Sequence, residues 1–329
     1  MGNILTFKIG FIGSGSISRA HIIAAQSVGF TTIGICARDF SESARKLSTE
    51  FEGLKYHNTL DSFLETKFDG ICILLNTDVS LQIYKKVITK QDIPILIEKP
   101  VTQSSVFLSK NIDLDRKNTL VGYNRRFYSS VSEIKNYLQQ NQNIQSHWNI
   151  PEISWDKNPA ASARKHFLLE NSVHILDLFL YLLGSPSDSI YFNNNENGFL
   201  QYSTSVHRFP NGNVASLNLN FGTPDNTSVS FYGPGSYFLL KPIELVSKYS
   251  KIITEPANAV IPFKRYIPSQ ENTWEISQSD IKYKPGFHTQ YLEFMEMCTG
   301  NSRKIGASLR DAFNVLKFAE KILVPPVYK

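Results

Sequence analysis

The feature that most constrains this chain is a glycine turn, Gly13-Ser14-Gly15, set between a compact apolar run at residues 6–12 and a segment of helical composition at residues 17–28. Parallel strands need crossover connections, so strand, tight turn and helix in that order read as the opening of a βαβ unit. Gly13 and Gly15 take the first two positions of a dinucleotide fingerprint. One permits the tight turn, and the other lets backbone approach a pyrophosphate at the helix N-terminus. Ser18 holds the third position and is small enough for the helix to pack closely. Ser16 and Ile17 complete the turn and join the two glycines as expected cofactor contacts.

The pattern then repeats. Strand-like runs at 31–37, 70–75 and 94–97 alternate with helical runs at 41–51 and 79–89, which favours a doubly wound parallel sheet covered on both faces. At the end of the second strand stand Arg38 and Asp39. Arg38 suits the 2′-phosphate of NADP, whereas Asp39 suits a ribose hydroxyl of NAD; a solvated charge pair is the bland alternative. The balance leans to NADP.

After about Gly122 the pattern changes. A helical segment at 170–183 precedes alternating runs at 199–208, 214–221 and 227–232, punctuated by Pro210-Asn211-Gly212 and Gly233-Pro234-Gly235. Such turns join antiparallel strands. The expected fold class is therefore α/β: an N-terminal Rossmann domain over residues 1–121 and a C-terminal α+β domain over 122–329, with a large open, mostly antiparallel sheet. Residues 247–283 give no clear pattern.

A length of 329 residues and a hydrophobic fraction of 42% suit two ordinary cores. The three cysteines, Cys36, Cys72 and Cys298, are widely spaced and indicate neither a disulfide framework nor a metal site. The formal charge of +5 is dispersed, so no nucleic acid is expected. No apolar run reaches the roughly 20 residues that span a bilayer, and no signal-like segment opens the chain, which makes the cytoplasm the expected compartment.

Two groups of residues carry candidate chemistry. Glu98-Lys99-Pro100 ends the fourth strand, and open parallel sheets present ligands at strand C-termini. Glu170, His174 and Asp177 follow at intervals of four and three and share one face of the expected helix. Histidine suits a general base near neutral pH, lysine can donate to a developing alkoxide, and a carboxylate can orient either. Without further context, a lone histidine on a helix is more often structural.

Beyond these local readings, the chain resembles the glucose-fructose oxidoreductase, inositol dehydrogenase and MocA-like oxidoreductases along nearly its whole length. The resemblance rests on Gly13-Ser14-Gly15 followed by Arg19-Ala20-His21, on Glu98-Lys99-Pro100, on Gly122-Tyr123-Asn124-Arg125-Arg126-Phe127, and on His174-Ile175-Leu176-Asp177 leading to Gly184. Gly286-Phe287-His288-Thr289-Gln290 and the segment from Asp311 to Lys317 add to it. It implies a hydride transfer, with NADP or NAD, to or from a sugar or nucleotide-linked sugar. It also implies a second domain that binds substrate and assembles a homodimer or homotetramer. Carried over, Lys99 becomes the hydroxyl-binding lysine, His174 the acid/base histidine and Asp177 a supporting residue.

The chain departs from the family in three places. Glu170 replaces an aspartate. Arg164-Lys165-His166-Phe167 stands where a glycine-rich approach is usual, and Leu75-Asn76-Thr77-Asp78 replaces a threonine-proline-asparagine segment. Asn76, Glu98 and Lys99 are nonetheless expected near the cofactor. A nucleotide-sensing regulatory protein on the same fold is the alternative function.

Overall fold

The computed structural model describes residues 6–152, 168–196, 199–274 and 276–323. The chain divides into two compact units, Met1–Tyr128 with Gln278–Glu320, and Ser129–Ser277 with Lys321–Lys329.

In the first unit, β1 (Lys8–Ile12), β2 (Thr31–Cys36), β3 (Lys55–His57), β4 (Gly70–Ile73), β5 (Ile95–Ile97) and β6 (Thr119–Val121) form a six-stranded sheet in the order β3-β2-β1-β4-β5-β6. Every pairing is parallel. The strands read as unbroken apolar runs because both faces are covered: Ile9, Phe11, Ile71, Cys72, Leu96 and Ile97 are all buried. The order reverses between β1 and β4, which places a crevice at their C-terminal ends.

Sequence patterning assigned everything after residue 121 to the second domain. Instead the chain leaves the first unit after Tyr128, and Gln278–Glu320 return to it. The cause is apolar burial: the helix Phe287–Cys298 places Phe287, Tyr291 and Phe294 in a core with Ile9, Phe11, Ile22 and Phe30. Ala307 also bridges to Val121 at the edge of β6.

The second unit carries β7 (Gln145–Glu152), β8 (Asp188–Glu196), β9 (Phe199–Arg208), β10 (Val214–Phe221), β11 (Ser228–Gly233), β12 (Ser236–Leu240), β13 (Val246–Glu255) and β14 (Arg265–Trp274). Their order is β14-β13-β12-β11-β7-β10-β9-β8. Among the described residues β7 and β10 run parallel and the remaining neighbours antiparallel. Alternation separates the faces: Trp148, His207, Leu217 and Phe231 are buried, while Ile190, Phe192, Tyr202 and Val206 are exposed. The helix Val173–Leu183 covers the buried face, with the ring of Phe179 5.2 Å from that of Trp148.

The helix expected over 170–183 is divided. Leu168–Ser172 forms a wider, π-type turn and the α-helix begins at Val173. At this junction Ser172 donates its hydroxyl to the buried carboxylate of Glu152. The unassigned stretch after 247 contains the hairpin β13–β14, whose residues are mostly exposed or half-buried, so no buried face imposes a period on its sequence.

Candidate functional site

A cavity of about 690 Å³ lies at the ends of β1, β2 and β4, lined by residues that include Gly13, Ser14, Gly15, Arg38, Ser41 and Asn76. Its floor is the glycine turn. Gly13 has φ +113°, and a Cβ there would lie 2.3 Å from the Leu74 carbonyl oxygen, so no other residue fits without displacing backbone. Its N–H donates to the Cys36 carbonyl at 2.8 Å, and its own carbonyl accepts from the buried Ser18 hydroxyl at 3.1 Å. Gly15 is different: a Cβ there would meet nothing within 4 Å. The turn is thus packed at Gly13 and open at Gly15, which suits a close backbone approach by a pyrophosphate.

Ser16 and Ile17 lead from the turn into the helix Ser18–Ser27. Arg38 is exposed, and it is the arginine among the residues around the cavity, while Asp39 stands outside the lining and accepts from the Asn58 side chain at 3.3 Å. Asn76 precedes the helix Thr77–Lys90, and its carbonyl accepts from the Ser80 hydroxyl at 3.0 Å. Cys36, also in the lining, carries a thiol that burial pushes up to about 11, so it stays protonated.

Sequence reading missed a trio of hydroxyls here. Ser14 Oγ lies 3.1 Å from Ser41 Oγ and 2.8 Å from Ser43 Oγ, at the start of the helix Glu42–Glu50. The available signal was the serine that opens the helical run at 41–51, and Ser41 does cap that helix, accepting from the Ala44 N–H at 3.3 Å.

Glu98 and Lys99 follow β5. The Glu98 N–H donates to Ile73 O at 2.9 Å, which fixes the chain's exit from the sheet. The side chain of Glu98 is 12% exposed, with Oε1 3.0 Å from His21 Nε2 and Oε2 accepting from the Lys99 N–H at 3.1 Å. Burial alone would raise its carboxyl, but the hydrogen bond and charge of His21, together with Lys99 and Lys284, hold it below the usual carboxylate range. Lys99 itself is half-buried.

The motif at 122–127 closes the same unit. Arg126 is buried, donates to Ile305 O at 3.4 Å and lies 3.7 Å from Asp311, while Asn124 donates to Pro285 O at 2.8 Å.

In the second unit His174 is half-buried in the first turn of the helix Val173–Leu183, and Asp177, one turn on, is fully buried. Glu170 belongs to the π-type turn; its side chain, like Lys165 and the rest of 153–167, lies outside the described residues. Glu152, which anchors Ser172 two residues before His174, had no sequence signal beyond being an acid at the end of a strand.

Comparisons with known proteins agree with this architecture. Residues 7–123 match the model of an oxidoreductase family with an NAD-binding Rossmann fold. The rhizopine catabolism protein MocA of Rhizobium meliloti is 22% identical over 186 residues, a match that spans 54% of this chain and 57% of that relative's length. Among solved structures, myo-inositol dehydrogenase from Lactobacillus casei, in complex with NAD(H) and myo-inositol, aligns with a TM-score of 0.71 and 17% identity over 96% of this chain and 93% of its own. UDP-N-acetylglucosamine 3-dehydrogenase GnnA from Acidithiobacillus ferrooxidans aligns with a TM-score of 0.71 and 16% identity over 97% of each chain. Identities this low establish a shared fold.

Proposed function

We propose that the chain, whose residues 7–123 match the model of the Gfo/Idh/MocA oxidoreductases with their NAD-binding Rossmann fold, is an NAD(P)-dependent dehydrogenase or ketoreductase. It interconverts the hydroxyl and ketone of a sugar or nucleotide-linked sugar. The observation that carries the reading is the glycine turn, closed at Gly13 and open at Gly15 beneath a cavity lined by Arg38. The names of the two dehydrogenases above support a polyhydroxylated substrate.

When bound, the nicotinamide cofactor accepts or supplies the hydride. The chain's own residues do the rest. The backbone at Gly13 and Gly15 receives the pyrophosphate, with Ser16, Ile17, Asn76 and Glu98 around the dinucleotide. Arg38 makes a charge-assisted bond to a 2′-phosphate, which is the basis for preferring NADP to NAD. Removing hydride from a carbinol carbon requires the hydroxyl proton to leave as the carbonyl forms. His174 takes that proton, and in the reductive direction returns it. Lys99 donates to the oxygen on which negative charge develops. Glu170 orients His174 or holds a substrate hydroxyl, and Asp177 supports the histidine from the same helix. A homodimer or homotetramer belongs to the same reading, supported by the apolar residues Ile190, Phe192, Tyr202 and Val206 on the exposed face of the sheet.

The test is a pair of variants. With a sugar panel and both cofactors, Lys99→Ala and His174→Ala should keep wild-type cofactor affinity while turnover falls about a hundredfold to ten-thousandfold. Near-normal turnover in folded His174→Ala across the working pH range removes this histidine from the mechanism. Tight cofactor binding by the wild-type protein with no hydride transfer to any sugar would instead favour a nucleotide-sensing role.

A further inference from the structure

His21 lies one turn into the helix that begins at the glycine turn, and it is completely buried. A histidine at 0% exposure needs partners for both ring nitrogens, and it has them: Nδ1 lies 2.9 Å from the Tyr291 hydroxyl and Nε2 lies 3.0 Å from Glu98 Oε1. Phe287 packs on the ring at 4.5 Å between centroids, and Cys72 Sγ sits 3.4 Å from the Tyr291 hydroxyl. These contacts order the hydrogens. Because a carboxylate can only accept, Nε2–H donates to Glu98, and Nδ1, the Tyr291 hydroxyl and the Cys72 thiol continue the chain of contacts behind it.

The carboxylate at the end of this chain of bonds has little freedom. Its Oε1 is engaged by His21 and its Oε2 by the backbone N–H of Lys99. Gly122 packs so closely that a Cβ there would lie 2.8 Å from Oε1. The charged and titratable groups that act on this acid are His21 from the first helix, Lys99 beside it and Lys284 from the segment before the helix Phe287–Cys298, with Tyr291 and Cys72 behind His21. An acid this enclosed stays oriented as a carboxylate only while its donors remain.

We propose that His21 is a positioning residue for Lys99: backed by Tyr291, it clamps the carboxylate of Glu98, and Glu98 in turn fixes the backbone of Lys99 and keeps a negative charge on the adjoining residue. The helix that opens the dinucleotide turn is thereby tied to the lysine. The importance of this for catalysis rests on the role given to Lys99 above, but the clamp is testable without a substrate.

The probe is acetic anhydride, used in trace competitive labelling of the full chain at several pH values, with the extent of Lys99 acetylation read by peptide mass spectrometry. His21→Phe removes the donor and leaves an enclosed acid that takes up a proton; Lys99 then loses its neighbouring negative charge, and more of it is the reactive free amine. Its labelling rate at pH 8 should rise severalfold, in keeping with the effect of about one pH unit or more that a close opposite charge exerts. His21→Gln, which can still donate to Glu98, should return the rate toward wild type, and Tyr291→Phe should produce a smaller rise. In His21→Phe a protonated-carboxyl infrared band should appear at neutral pH and vanish on adding Glu98→Gln. Should His21→Phe fail to fold, Tyr291→Phe and His21→Gln carry the test. Labelling of Lys99 that is the same in wild type and in every folded variant, with no carboxyl band, overturns the clamp. Labelling that responds as described, alongside normal turnover of Lys99→Ala, would uphold the clamp and overturn the proposed catalytic role of Lys99.

Discussion

The two units place their candidate residues in different ways. In the first, topology does the placing: a parallel sheet brings the ends of β1, β2 and β4 together, so Gly13, Arg38 and Asn76 share one cavity although they are distant in sequence. In the second, a single helix carries His174 and Asp177, and the nearest support observed for its first turn is the bond from Ser172 to Glu152. The first arrangement depends on backbone conformation and is most sensitive at Gly13. The second depends on side-chain chemistry against a sheet, and its sensitivity lies in protonation.

The largest effect expected from this contrast is at the glycine turn. Gly13→Ala forces a side chain into positive φ and against the Leu74 carbonyl, and should cost about 3 kcal/mol or more, or prevent folding. Gly15→Ala faces open space, so its stability should stay within about 0.5 kcal/mol of wild type. Urea unfolding of both variants checks this, and equal losses would break the contrast.

A comparable but pH-dependent effect belongs to the second unit. His207 is buried between the hydroxyls of Ser189 and Ser205, each 2.8 Å from a ring nitrogen. Burial, with a smaller contribution from Lys321, lowers its pKa to about 4 from an ordinary 6.5. Between those values the unfolded chain binds a proton that the folded chain refuses, so this contribution to stability is complete above the unfolded pKa. It is lost as pH falls from 6.5 toward 4 and levels off below, a total of about 3 kcal/mol. His207→Gln should flatten the stability profile over that window by a corresponding amount. An identical slope in the variant would show that the histidine is charged in the fold or that other groups dominate.

The same contrast explains what could be read in the sequence. The turn at Gly13, the cap at Ser41 and the strand ends were legible because their signals are local: a glycine that backbone geometry requires, a hydroxyl placed for a helix start, short apolar runs. The return of Gln278–Glu320 to the first unit was not, since Phe287, Tyr291 and Phe294 form an apolar stripe that fits any core. The β13–β14 hairpin lacked a buried face and therefore a period. His21 was visible as part of a motif, but its bond to Glu98 joins residues 77 positions apart, and Tyr291 lies 270 positions from His21, separations over which residue types carry no pairing signal.

The central claim is that a dinucleotide binds over the open side of the glycine turn. Fluorescence titration of NADPH and NADH against wild type and Gly15→Val measures this directly. The account predicts saturable binding by wild type, tighter for NADPH, and loss of both in a Gly15→Val protein whose fold is shown to be intact by circular dichroism and thermal unfolding, because the valine occupies the space that the pyrophosphate needs. Wild-type affinity for both nucleotides in the folded variant would contradict it.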